Sequence, residues 1–131
     1  MHITAKLLRR DAEDQARNAT TEVRRRSAVS RAYYASYHRC QRWEALLPYK
    51  STCRPRGGTH AQLIDRLSEP NPFCGKALMD RSEALGELLA KLRHLRVIAD
   101  YRLEHEIDRK VMESQIDRLK QVFEKCADPD T

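Results

Sequence analysis

The sequence predicts an all-α protein, an up-and-down antiparallel four-helix bundle with one short accessory helix. Apolar residues recur at every third or fourth position almost throughout, while alternating strand patterns are missing and β-branched runs are few. The interruptions carry prolines, paired glycines or Thr and Asp caps, which are helix boundaries rather than hairpin turns. At 131 residues the chain has the size of one domain, so 1–131 is expected to fold around a single core.

Each element has its own signal. Thr4 caps a first helix to about Arg17, with Ala5, Leu8, Ala12 and Ala16 as a weak inner face. The second helix opens near Thr20 or Thr21 and ends before Pro48, which cannot continue it. Its inward stripe is Val29, Ala32, Tyr33, Ser36, Tyr37, Cys40, Trp43 and Leu47, and the small Ala28, Ala32, Ala35 and Ser36 invite a close neighbour. Prolines, Gly57-Gly58 and the cations Lys50, Arg54 and Arg56 make 48–58 a basic loop. Thr59 is expected to cap a short helix from His60 to about Ser68, with Leu63, Ile64 and Leu67 inward and Pro70-Asn71-Pro72 ending it. A fourth helix runs from about Lys76 to Ala99 on Leu78, Leu85, Leu88, Leu89, Leu92, Leu95 and Ala99. After a corner over Asp100–Glu106, Asp108 caps a last helix to about Cys126, seamed by Val111, Met112, Ile116, Leu119, Val122 and Phe123.

Charge gives the first indication of a partner. Charged residues make up 34% of the chain and hydrophobic ones 40%, for a net charge of +6. Eighteen of the 25 basic residues are arginine. The planar guanidinium fork suits phosphate or carboxylate, so nucleic acid or a nucleotide is the favoured ligand class; arginine-for-lysine replacement in a GC-rich genome produces the same excess. No apolar run approaches the ~18 residues of a membrane span and the N-terminus has no signal-peptide core, so a cytoplasmic protein without membrane contact is expected. Cys40, Cys53, Cys74 and Cys126 form no Cys-x-x-Cys pair and no zinc spacing with the five histidines. Reduced thiols, no metal and no cofactor are expected.

Arg31 and His38 are the leading candidates for chemistry. Seven residues of helix return the chain to nearly the same face about 10 Å further on. A histidine can move a proton near neutral pH, and an arginine fork can hold a phosphate and offset the charge growing in a transition state. Tyr33, Tyr34 and Tyr37 are candidates to stack on bases, although core or dimer packing with a bonded hydroxyl better explains at least two of the three. Arg54 and Arg56 on the loop, and Arg93 with Arg96 on adjacent turns, are candidate phosphate contacts, although Arg93 and Arg96 could equally pair with Glu87, Glu104 or Asp100. Arg24-Arg25-Arg26 reads as a solvated helix start. His60 follows a Gly-Gly-Thr segment at a helix N-terminus, where backbone amides can receive a phosphate, but a capping Thr59 accounts for most of that pattern.

Two blocks together resemble a known family. Ser30-Arg31-Ala32-Tyr33-Tyr34-Ala35-Ser36-Tyr37-His38, with Leu92-Arg93-His94-Leu95-Arg96-Val97-Ile98-Ala99-Asp100-Tyr101 some sixty residues on, is similar to the HEPN domain family of prokaryotic helical-bundle proteins. The resemblance implies a homodimer, often encoded beside a small nucleotidyltransferase in toxin–antitoxin-like pairs. Several branches are metal-independent ribonucleases that use an arginine, four to six residues, and a histidine; Arg31 and His38 have six between them. It also departs from the ribonuclease branches, where the motif lies at the start of a later helix and a polar residue follows the arginine, here Ala32. Asp100 and Tyr101 are expected to support the site. In the competing reading Arg31 forms a buried ion pair with Asp100, His38 is a packing histidine, and the chain is a non-catalytic module that binds a nucleotidyltransferase or a nucleotide.

Overall fold

Residues 3–127 are described by a computed structural model. Five helices account for most of them: α1 (Ala5–Arg17), α2 (Glu22–Ala45), α3 (Thr59–Ser68), α4 (Lys76–Tyr101) and α5 (Arg109–Cys126). A single 3-10 turn, Pro72–Cys74, leads into α4, and no strand occurs among the described residues. None of the described helices is long and apolar enough to cross a membrane.

Local chemistry sets the ends. Thr4, Thr21 and Asp108 accept bonds from the amides of Leu7, Arg24 and Val111, so each removes an orphan donor from the first turn. The expected cap at Thr59 is not formed. Gly58 is the N-cap, Thr59 is already helical, and no side chain bonds the first turn of α3. The corner after α4 also comes later than expected, because the helix continues through Asp100 and Tyr101.

α2 is the central element and packs on α1, α4 and α5, while α3 lies mainly along α4. The core has two parts. At one end the alanines of α1 and α2, Ala12, Ala16, Ala28, Ala32 and Ala35, meet Met112, Ile116 and Leu119 of α5. The absence of long side chains there lets the α1 and α2 backbones approach closely. At the other end Tyr33, Tyr37, Cys40 and Trp43 pack on Leu63 and Leu67 of α3, on Leu85, Leu89 and Leu92 of α4, and on Val122 and Cys126 of α5. Each fully buried leucine contributes about 2 kcal/mol relative to exposure.

Three polar anchors fix the helices' register. Buried Gln115 donates from Nε2 to the carbonyls of Val29 at 3.3 Å and Leu92 at 3.0 Å, tying α5 to α2 and α4. Buried Ser82 donates to the Leu67 carbonyl at 2.7 Å, which holds the end of α3 against α4. Arg26 is the third and corrects the solvated reading of the arginine triplet. Its side chain is buried, bridges to Glu22 at 2.8 Å, and donates to the carbonyls of Ile98, Ala99, Arg102, Leu103 and His105. A cation against the carbonyls at the end of α4 answers both their remaining hydrogen-bonding capacity and the helix dipole. Arg25 donates to the Ile107 carbonyl at 2.7 Å, so only Arg24 of the three faces solvent.

Candidate functional site

The tyrosines of α2 position a histidine from α3. The Tyr33 hydroxyl lies 2.7 Å from Nδ1 of His60, and the Tyr37 ring meets the His60 ring edge-on at 4.6 Å between centroids. Tyr37 also carries the His38 ring, stacked at 5.4 Å. Two histidines therefore contact one aromatic ring. Burial holds the Tyr33 hydroxyl well above the ordinary phenol range, so it stays a neutral bonding partner for the imidazole. His60 titrates below its usual value, first because burial disfavours the imidazolium and then because Arg96, Arg93 and His38 bring like charge near it. Its second ring nitrogen makes no hydrogen bond among the described residues.

Arg96 forms the other half of this cluster. Its guanidinium donates to the Tyr34 hydroxyl at 2.6 Å and sits over the rings of Tyr34, Tyr101 and Tyr33 at 5.2, 5.4 and 5.9 Å. Asp100, one turn further along α4, places Oδ2 3.0 Å from Arg96 Nε and accepts from Ser30 Oγ at 3.1 Å. The Nε–H does not point along the line to the carboxylate, so the contact is ionic rather than a hydrogen bond. Tyr101 is largely exposed while its ring covers Arg96.

This arrangement overturns the expected Arg31–Asp100 clasp. The carboxylate is taken by Arg96, four residues before it on its own helix, and by Ser30 across the interface. Arg31 is exposed and joins no ion pair among the described residues. It lines a groove of about 630 Å³ with Ser30, Tyr34, Asp100 and Leu103. His38 is also exposed rather than a packing histidine. The pair projects from one edge of α2, about 20° apart around the helix and ~10 Å apart along it.

The remaining candidates divide. Tyr33 is 0% exposed, so the reading of it as a base-stacking residue is withdrawn: a ring enclosed by the core cannot receive a base. Tyr34 is half-buried and keeps an edge on the Arg31 groove. Arg93 lines a shallow groove between α3 and α4 with Ala61, Asp65 and His94, close enough for its charge to act on His60. Arg54 and Arg56 are exposed on the loop before α3 and make no hydrogen bond or ion pair with the tyrosine–histidine cluster among the described residues; the Arg56 amide is bonded to Asp65. His60 is the functional residue that sequence reasoning set aside. Its signal was an uncapped helix start, concealed by a threonine in the position of a cap.

Comparison with protein-family models, with curated proteins and with solved structures finds no match to this chain.

Proposed function

We propose that this chain is a single HEPN-type domain, four main helices running up and down with α3 as the accessory helix. It acts on RNA as a toxin-like, metal-independent ribonuclease working as a homodimer in the cytoplasm. The observation that carries this reading is the joint exposure of Arg31 and His38 on one edge of α2, with Asp100, the arginine's alternative partner, held by Arg96 and Ser30. A buried clasp would have left no surface on which a phosphodiester could sit.

The chemistry needs two proton transfers and charge stabilisation. A base takes the proton from a ribose 2′-hydroxyl as its oxygen bonds to phosphorus; an acid delivers a proton to the 5′-oxygen as the P–O5′ bond breaks, leaving a 2′,3′-cyclic phosphate and a 5′-hydroxyl. His38 and His60, both in contact with the Tyr37 ring, supply two imidazoles from one chain. The surroundings of His60 favour the neutral ring, which suits the base, and the second proton transfer falls to His38. Arg31 holds the phosphate and offsets the charge that grows on its oxygens. Incubating the protein with single-stranded RNA in chelator should yield those termini, and Arg31→Ala and His38→Ala should each lose the activity. Equal cleavage by all three proteins, or none by any, overturns the reading.

One observation favours a second reading, a non-catalytic module that docks a nucleotidyltransferase or binds a nucleotide. Val23, Tyr101 and Leu103 expose 75%, 69% and 73% of their surface, and Val23 and Leu103 border the groove that holds Arg31. Apolar side chains around a polar groove are a docking composition. A partner protein whose binding is abolished by Leu103→Glu, in a chain without RNA cleavage, would establish it.

A further inference from the structure

A second concave surface lies beyond His38, where the starts of α1 and α4 meet the ends of α2 and α5. The cavity is about 740 Å³, the size of a small-ligand site. Five cations line it, Lys6, Arg9, Arg39, Arg42 and Arg81, and no carboxylate does among the described residues. Arg9 is paired with Glu13 at 2.9 Å and lies over the Phe123 ring at 5.0 Å, and Arg39 donates to the Cys126 carbonyl at 2.9 Å. Lys6, Arg42 and Arg81 join no ion pair among the described residues. The floor between these charges is apolar, formed by Trp43, Leu47 and Phe123.

A chain with 25 basic and 19 acidic residues has enough carboxylates to disperse its cations, so this local imbalance is a feature of the site. Like charges around a concavity repel, and an anion relieves them. The geometry also says which anion. Exposed Arg24, Arg31, His38 and Arg42 fall within about 40° of one another on the outer face of α2, over ~27 Å of its length. Arg42 lies only ~6 Å along the axis from His38, so a polyanion lying on the Arg31–His38 edge runs directly into the groove. Guanidinium forks suit phosphates, and a stripe of cations along ~27 Å of α2 suits a chain of them. We infer that this groove seats the nucleotides of a single-stranded RNA that flank the bond held at Arg31 and His38. The inference rests on the RNA reading of that edge.

Trp43 is the only tryptophan in the chain and reports on the groove directly. A 3′-labelled single-stranded RNA is titrated into the full chain, reading probe anisotropy and Trp43 emission together. Both should change with the same Kd. Arg42→Glu with Arg81→Glu should weaken binding about tenfold or more and reduce the salt slope by about 1.4, at ~0.7 for each single-strand phosphate no longer neutralised. Should the double variant fail to fold, the Trp43 response of the unaltered protein decides alone. Trp43 emission that stays constant at saturating RNA overturns the inference, as does a folded double variant within about twofold of the original affinity. Polyglutamate that displaces the RNA at equal concentration also overturns it, by assigning the groove to an acidic protein segment. The two readings fail separately: cleavage that needs His38 with no role for the groove removes only the groove, and RNA held in the groove without cleavage by any form removes only the ribonuclease.

Discussion

The Tyr33 hydroxyl and Nδ1 of His60 lie 2.7 Å apart, a contact that joins the buried stripe of α2 to the first turn of α3. It fixes the imidazole of a half-buried histidine next to two arginines, in surroundings that favour the neutral ring. In the folded chain His60 therefore resists protonation more than in the unfolded chain. Its contribution to stability is full above the ordinary value near 6.5 and is lost as pH falls through its lower folded value. Arg96→Ala removes a neighbouring positive charge and opens the site to water. Both effects favour the imidazolium, so the His60 midpoint should rise in an NMR titration of the histidine ring protons; an unchanged or lower midpoint would contradict the assigned cause.

Arg26 should matter more to stability than either of its neighbours in the triplet. Arg26→Met deletes the donors to five carbonyls at and just beyond the end of α4 and leaves Glu22 without its bridge, for a predicted loss of about 3 kcal/mol in urea denaturation. Arg25→Met removes one bond, to Ile107, and should cost about 1 kcal/mol. Similar losses for the two would show that the Arg26 clamp is not formed in solution.

Gly86 sits inside α4, where alanine is ordinarily better by about 1 kcal/mol. Here a Cβ would meet Ser68 Oγ at 2.8 Å and the Ser68 backbone nitrogen at 3.2 Å, because the end of α3 rests on the glycine. The hydroxyl can rotate away but the backbone cannot. Gly86→Ala should therefore destabilise by about 1 to 2 kcal/mol despite its helix preference, and Ser68→Ala should recover only part of that. A more stable Gly86→Ala protein by thermal melting would mean that α3 sits further from α4.

The helices were legible in the sequence wherever the signal was local. Thr4, Thr21 and Asp108 cap as their positions imply, and the apolar stripes of α2, α4 and α5 face the core, with Leu47, Leu78, Leu88, Leu95, Val111 and Phe123 only partly buried. Legibility failed where a residue's partner is set by packing. Thr59 has the composition of a cap but the chain places Gly58 there. Arg26 reads as surface because three arginines in a row must spread around a helix, and only the arrival of the α4 end selects which one is buried. Asp100 had two arginines to choose from, and the one already a turn away on its own helix won over Arg31, whose ordering would have cost more side-chain entropy. The proximity of His60 to Tyr37 and His38 depends on how α3 docks, which no spacing within either segment encodes.

If His38 moves a proton during RNA cleavage, its loss must slow the chemical step without releasing the RNA. The decisive quantity is the single-turnover cleavage rate of single-stranded RNA in chelator for the unaltered chain and for His38→Ala, an exposed substitution that leaves the core intact. The rate should fall by roughly 10²- to 10⁴-fold with RNA affinity nearly unchanged. A His38→Ala protein that cleaves as fast as the original would contradict a proton-transfer role for this histidine.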